Sequence, residues 1–398
     1  MDVEIKKPIL IFCSREICYY SADFFAARIA DVLEEKGYQV IMQTLDTKDD
    51  LEEQLEQYMG KSYLAVLDFN SLLPRMELED GRRYLDTLDA PFYNYIVDHP
   101  FYHHPGLDIE LERYHAICID EDHCTYMKKY YPHIKSMPLI PLGATKAIHY
   151  IPPEEKKEEI LFIGTFNSSN AIYEQIKDMH NDTVRLDILK MVELLSSDET
   201  MSHEQAMKII LKDHGIELTN RQMKEHMNLV YSADRYLRNY FREKAVHTLI
   251  EAKIPVTVVG NGWEKSSFIN HKFFHAAEAV DFSMSFQKIA QYAVSLNVSP
   301  LFRAGAHDRI FAAMANQSVC ITDTNRFMEQ NFYDGKELSL FSFHQKDRFI
   351  DQARELLENK QKRYEMADTA LKHFDSEFSW EKRTEQIIQE FVKTKEII

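Results

Sequence analysis

The sequence is short of positive charge. It sets 47 Lys and Arg against 64 Asp and Glu, a formal net charge of −17. Non-specific nucleic-acid binding draws its affinity mainly from neutralising phosphates, so no nucleic-acid partner is expected, although a local basic patch stays open. Cysteine is scarce as well: Cys13, Cys18, Cys118, Cys124 and Cys320 make an odd number with no CxxC pair. Neither a disulfide framework nor a structural zinc is expected. Three of the five lie in or beside apolar, strand-like runs, where a buried thiol is the ordinary reading. No apolar run approaches the ~18 residues needed to cross a bilayer. The opening Met1-Asp-Val-Glu-Ile-Lys-Lys-Pro8 has no h-region and no small-residue cleavage site, so no signal peptide and no transmembrane segment are expected, and the cytoplasm is the expected compartment. Also missing are a GxGxxG after the first strand, an HExxH motif, internal repeats and low-complexity segments, and no DxD-type acidic pair stands out.

What is present alternates. Pro8 to Cys13 is a short uncharged apolar run, as for a strand buried on both faces. Ser21 to Lys36 has apolar residues at helical spacing, with Ser21 as N-cap and Gly37 past the end. Strand at Tyr38 to Leu45, helix at Lys48 to Met59 and strand at Tyr63 to Phe69 follow. Phe92 to Val97, His115 to Ile119 and Ser136 to Leu142 continue the pattern. Short joints between alternating elements mean a parallel, doubly wound sheet. Residues 1–150 therefore read as one Rossmann-like domain. The charged, proline-bearing stretch Ile151 to Glu159 reads as a linker.

A second α/β unit, 151–378, opens with the strand Ile160 to Gly164. Tyr173 to about Glu243 is strongly helical, with Thr183, Ser202 and Thr219 as helix starts, and reads as an insertion of about 171–243. Strands are expected at Pro255 to Gly260, Phe273 to Ala279, Val294 to Val298, Val319 to Thr322 and Leu338 to Phe343. A helix is expected at Asp308 to Ala315, a longer one at Asp347 to Phe374, and a closing helix over 379–398. The expected fold class is α/β, two Rossmann-like domains facing a cleft, the second with a helical insertion.

In open parallel sheets, ligands bind outside the carboxyl ends of the strands. Three loops of the second unit lie there: Gly164 to Asn170, Gly260 to Trp263, and Arg303 to Asp308. The third combines Gly305, two arginines and a helix start. A helix N-terminus offers unbonded N–H groups and a partial positive charge, and a guanidinium fork matches phosphate oxygens. The same layout also occurs in ordinary βαβ turns with solvated charges.

These residues carry a resemblance. The strand Ile160 to Gly164 after a linker, Val258-Val-Gly-Asn-Gly-Trp263, Gly305-Ala-His-Asp-Arg-Ile-Phe-Ala-Ala-Met-Ala315 followed by Val319 to Asp323, and Phe378-Ser-Trp-Glu-Lys-Arg383 together resemble the C-terminal half of GT-B glycosyltransferases. The similarity is to the bacterial, spore-maturation-protein-like branch of group 1 glycosyltransferases, and it covers roughly the second half of the chain. The first half resembles the family only in architecture. The resemblance implies transfer of a sugar from a nucleotide-diphosphate sugar on the second lobe to an acceptor on the first, without metal or cofactor. It departs from the family at Ala312, where many retaining members carry a Glu that binds the donor ribose.

A leaving diphosphate needs positive charge and N–H donors. Arg303, Arg309, Gly305, His307 and Asp308 are the candidates, with Gly164, Thr165 and Asn167 adding N–H groups, Gly260 close by, and Trp263 as a wall for the nucleobase. An inverting enzyme also needs a general base. Val97-Asp-His-Pro-Phe-Tyr-His-His-Pro105 places Asp98 and His99 at a strand end of the first unit. Histidine suits proton transfer at neutral pH, and an Asp can orient it. A metal-scavenging His patch and plain loop polarity are the other readings. Cys118 and Cys124 around His123, Asp68 at a strand end, and the Arg235, Arg238, Arg242 stripe are weaker candidates. The insertion is a candidate acceptor site or homo-oligomer contact. A sugar-nucleotide epimerase and a non-catalytic nucleotide-sugar scaffold are the alternative functions. Sugar, base, acceptor and stereochemistry are not encoded in any of these motifs.

Overall fold

Strands that are apolar on both faces need cover on both sides, and the alternation of such strands with amphipathic helices supplies it. In the computed structural model, which describes residues 7–14, 21–46 and 51–395, the chain divides into two compact units. One comprises the chain to Leu142 together with Trp380 onward, the other Gly143–Ser379.

The first unit runs β1 (Ile9–Ser14), α1 (Ala22–Glu35), β2 (Val40–Leu45), α2 (Leu51–Glu56), β3 (Ala65–Phe69), β4 (Phe92–Ile96), α3 (His104–Leu107), β5 (Tyr114–Cys118) and α4 (Glu121–Tyr130). Its sheet has the order β2-β1-β3-β4-β5, parallel throughout. Every residue of β1, β3, β4 and β5 is buried. The helix expected from Lys48 begins at Leu51 among the described residues; positions 48–50, like Cys18, lie outside them.

The expected strand Ser136 to Leu142 does not form. The segment runs beside β5, its carbonyls accepting from Ala116 N–H (2.9 Å) and Cys118 N–H (3.0 Å) and its Ile140 N–H donating back to the Cys118 carbonyl (2.8 Å). Pro138 and Pro141 have no N–H to extend the ladder, so a single bridge, Cys118 with Leu139, remains.

The second unit runs β6 (Lys157–Ile163), α5 (Ser169–Lys177), α6 (Asp182–Ser197), α7 (His203–Asp213), α8 (Asn220–Leu229), α9 (Ser232–Glu251), β7 (Val256–Val259), β8 (Phe274–Ala277), α10 (Phe282–Ala290), β9 (Tyr292–Asn297), α11 (Asp308–Ala315), β10 (Val319–Asp323), α12 (Arg326–Asn331), β11 (Ser339–Phe341), α13 (Lys346–Glu358) and α14 (Lys360–Glu377). The sheet order is β11-β10-β9-β6-β7-β8, again all parallel. The stretch read as a linker is partly built into this unit. β6 starts at Lys157, and Lys156 is buried, its Nζ donating to the carbonyls of Ala290 (2.5 Å) and Asn316 (2.8 Å), the ends of α10 and α11. Burial lowers its pKa to about 8.

Ser202 and Thr219 cap α7 and α8 in reciprocal capping boxes with Gln205 and Gln222. α6 is capped by Asn181 rather than started by Thr183. The long helix expected over 347–374 breaks at Asn359, whose φ of −96° and ψ of 83° are not helical and whose side chain caps α14 through Lys362 N–H at 3.1 Å.

The last helix, α15 (Trp380–Lys395), belongs with the first unit. Its Phe391 packs on Tyr93 at 4.8 Å and its Trp380 on Phe25 at 5.6 Å. Tyr93 donates its hydroxyl to the Glu390 carbonyl at 3.0 Å.

Candidate functional site

The chain enters the second sheet at β6, adds β7 and β8 on one side, and returns to lay β9, β10 and β11 on the other. β6 and β9 are therefore neighbours whose onward connections diverge. That is the switch point at which open α/β sheets hold ligands. The loop after β6 (164–168) and the loop after β9 (298–307) flank it.

The loops at 164–168 and 260–263 clasp each other. Gly164 N–H donates to the Val259 carbonyl (3.0 Å), Phe166 N–H to the Asn261 carbonyl (2.8 Å), and Trp263 Nε1–H to the Gly164 carbonyl (2.7 Å). Gly260 and Gly262 sit at φ of +155° and +89°, and a Cβ on either would lie 2.2 Å from the Gly164 oxygen or 2.4 Å from the Phe166 oxygen. Their smallness serves loop-on-loop packing, not approach to a ligand. Trp263 is 1% exposed, packed among Phe162, Phe166 and Phe274. The expectation that it forms a wall for a nucleobase is corrected: its face is covered by protein. Thr165 remains half-buried and Asn167 exposed beside the switch point.

Arg303 is also reassigned. Its Nε donates to the Met201 carbonyl at 2.9 Å, and its Nη1 to the carbonyls of Glu199 and Pro300. It fastens the α6–α7 connection to the loop after β9, and a guanidinium so engaged is not available to a phosphate. Gly305 is buried, its carbonyl accepting from Asn325 Nδ2 at 3.0 Å.

Arg309 takes a different position. Its Nε donates to Asn297 Oδ1 at the end of β9 (3.0 Å) and its Nη1 to the Ile163 carbonyl at the end of β6 (3.3 Å). It spans the two strands of the switch point. Its Nη2 is buried without a hydrogen-bond partner, a costly condition for a charged donor. Desolvation lowers its pKa, partly offset by the Asp308 and Asp323 carboxylates. Asn297 is itself fixed, its Nδ2 donating to Ser299 Oγ (3.0 Å) and Thr322 Oγ1 (2.9 Å). Asp323 accepts from Ser299 N–H at 2.7 Å, and burial raises its pKa to about 6.

The N-terminus of α11 is already occupied by its own residues. His307 Nδ1 accepts from Arg309 N–H at 3.4 Å and lies against the Asp308 carboxylate. Burial, then the Arg309 charge, lowers the His307 pKa. Burial opposes ionisation of Asp308, but His307 and Arg309 outweigh it and hold the carboxyl below its ordinary range. A carboxylate at a helix start satisfies the dipole. The positive end expected to receive phosphate near His307 is thus neutralised locally, and the Arg309 guanidinium is the group of this loop that keeps an unpartnered N–H. Ala312 is 2% exposed and brings no carboxylate.

In the first unit, Asn70 staples the loops after β3 and β4. Its Oδ1 accepts from Val97 N–H (3.0 Å) and its Nδ2 donates to Asp98 Oδ2 (3.1 Å). His99 Nδ1 accepts from Phe101 N–H (3.2 Å), capping the turn Pro100–His103, and its ring packs 4.0 Å from Phe101 and 4.7 Å from His123. His103 Nε2 lies 3.9 Å from the Asp98 carboxylate. Asp68, at the end of β3, is buried and accepts from Phe69 N–H (2.8 Å); burial raises its pKa to about 7. Asp120 caps α4, and Cys118 and Cys124 are buried. Of the arginine stripe, Arg238 pairs with the buried Asp234 at 2.6 Å and Arg235 donates to Gln175. Sequence reading missed Asn70, Asn297 and Asn325; polar residues at strand ends inside otherwise apolar runs were the available signal. Among the described residues, no group of three His, Cys, Asp or Glu side chains could hold a metal ion, and no helix is long and apolar enough to cross a membrane.

Residues 238–389 match the family model described as Glycosyl transferase-like, a segment that runs from α9 through the loop after β9 into α15 and does not include the loop after β6. Sucrose-phosphate synthase of Thermosynechococcus elongatus superposes with a TM-score of 0.57 at 11% identity, over 99% of this chain and 100% of that one. The fold is GT-B. HepE of Anabaena, solved with UDP and glucose, gives 0.56 at 10% identity over 97% and 100%. The BGT of T4 phage, solved with its UDP-glucose substrate, gives 0.54 at 11% over 96% and 99%. No curated protein matches the sequence. The matched segment contains three of the four motifs that carry the resemblance, Val258 to Trp263, Gly305 to Asp323 and Phe378 to Arg383, and leaves out the strand Ile160 to Gly164.

Proposed function

We propose that the protein transfers a sugar from a nucleotide-diphosphate sugar to an acceptor, and that the diphosphate lies at the switch point of the second unit against Arg309. The observation that carries this reading is the Arg309 guanidinium, bridged between the ends of β6 and β9 with its Nη2 buried and unpartnered. A diphosphate oxygen supplies the missing acceptor, and the charge that grows on the leaving group is met by a donor already in place. The glycosyl transferase-like segment and the UDP-bound fold relatives favour a nucleotide sugar over other phosphate esters. Thr165 and Asn167 contribute backbone and side-chain donors from the loop after β6, while the Gly164 N–H is taken by the Val259 carbonyl and shapes the loop. The positive charge comes from the protein, so the reading requires no divalent cation, and affinity for nucleoside diphosphate should be the same with and without chelator. For an inverting reaction the base comes from the loop after β4, where Asp98 lies beside His103 and His99 is held by its own turn.

Calorimetric titration with UDP, GDP and ADP, and with their sugars, tests this directly. Arg309→Ala should weaken nucleoside-diphosphate binding by about 1.5–3 kcal/mol, the scale of hydrogen bonds to charged groups. Unchanged binding removes Arg309 from the site. Ala312 favours a second reading, binding without turnover, because no acid stands there. Nucleotide sugar held tightly but neither hydrolysed nor transferred across a broad acceptor panel would select it.

A further inference from the structure

The helical insertion presents a surface that donor binding does not use. On α9, Tyr236 and Tyr240 stand one turn apart with nearly parallel rings, 16° between planes and 5.8 Å between centroids. Tyr173 of α5 extends the row at 5.7 Å from Tyr236. All three are half-buried, and none of their hydroxyls has a hydrogen-bond partner among the described residues. One turn further along α9, the Lys244 ammonium rests 5.7 Å from the Tyr240 ring and makes no ion pair among the described residues. Glu243 is taken by Ser169 Oγ at 2.8 Å. Ser169 is the first residue of α5, directly after the loop at 164–168. The row of rings therefore starts beside that loop and runs along the antiparallel pair α5 and α9.

We propose that this face binds an acidic oligosaccharide, with sugar rings lying on Tyr173, Tyr236 and Tyr240 and a carboxylate of the chain meeting Lys244. Sugar C–H bonds match the negative face of an aromatic ring. The unpartnered phenols can donate to and accept from sugar hydroxyls. In a chain of net charge −17, an unpaired ammonium held over a ring is a local site for an anion. Single-stranded nucleic acid also stacks on aromatic rows, but it is tracked by a line of cations, one for each phosphate neutralised. Here Arg235 is engaged by Gln175 at 2.8 Å, and Lys177, 4.8 Å from the Tyr173 ring, is paired with Glu174 at 2.8 Å, which leaves Lys244 as the row's one lysine without an ion pair among the described residues. The inference does not depend on a nucleotide site.

The test uses the full chain and three labelled probes of similar length: an oligosaccharide containing uronic acid, a neutral glucan and oligo-dT. The acidic oligosaccharide should bind best, and its affinity should fall with salt. Tyr236→Leu and Lys244→Gln should each weaken it by about tenfold, while Tyr236→Phe retains most of the affinity. UDP binding should be unchanged in all three variants. Lys244→Gln removes no ring from the packing, so it decides the matter if Tyr236→Leu lowers the melting temperature. Absence of binding by the acidic probe, equal binding of the neutral one, tighter binding of oligo-dT, or indifference to Lys244→Gln each overturns the proposal.

Discussion

Two arginines six positions apart, Arg303 and Arg309, have opposite fates, and backbone carbonyls decide between them. Arg303 is surrounded by the carbonyls of Glu199, Pro300 and Met201, so its value is structural. Arg303→Ala should cost about 1.5–3 kcal/mol of stability and leave the intrinsic affinity for UDP nearly unchanged; Arg309→Ala should show the reverse priority. Chemical denaturation alongside calorimetry separates the two, and a loss of UDP affinity in Arg303→Ala at full folding would contradict the assignment. Asp68 provides a pH prediction. Burial raises its folded-state pKa to about 7, above the ~3.9 of an unfolded Asp. The folded state therefore binds more protons between those values, and stability falls as pH rises from about 4 to about 7. Asp68→Asn keeps an acceptor for Phe69 N–H. It should be more stable than the parent at pH 8 by about 2–4 kcal/mol, with the gap closing near pH 4. A gap independent of pH would show that desolvation of this carboxyl is not the cause.

At the scale of elements, the helical insertion rests on local chemistry that a sequence states openly. Ser202 and Thr219 each stand three residues before a Gln, and both form reciprocal boxes. Ser202→Ala and Thr219→Ala should each cost about 1 kcal/mol, seen as faster hydrogen exchange in α7 or α8 with the α/β sheet unaffected. Elements that failed did so for equally local reasons. Two prolines prevented a sixth strand at 136–142, and Asn359 divided the helix expected over 347–374. Periodicity registers apolar spacing and is blind to a missing N–H or to one non-helical residue.

At the scale of the molecule, the chain leaves its first unit at Leu142 and returns to it at Trp380. α15 then completes that unit's core through Trp380, Ile387 and Phe391, exposed by 6%, 0% and 1%. At about 1.5–3 kcal/mol for each large apolar side chain, the helix is an integral part of the first unit. Removing residues 380–395 should destabilise the first unit selectively. Limited proteolysis would then cut within 7–142 while 143–379 persists; equal resistance of both units would argue against this role.

The sequence by itself determined the strands that form the two sheets, with one too many at 136–142, because strands buried on two faces announce themselves as uncharged apolar runs, and it determined α11 to the residue, because His307 and Asp308 mark its start and the small residues its length. It also located the switch-point loops, since Gly, Arg and a helix start lie together along the chain. Only the tertiary structure decided which of those side chains are spent on the protein's own carbonyls. Trp263, Gly260 and Gly262 proved to bind loop to loop, Arg303 to bind the insertion, and Arg309 to bridge β6 and β9, 146 positions from its Ile163 partner. Those assignments depend on which carbonyl lies within hydrogen-bond reach after folding. That is a fact of long-range geometry, and no residue spacing records it.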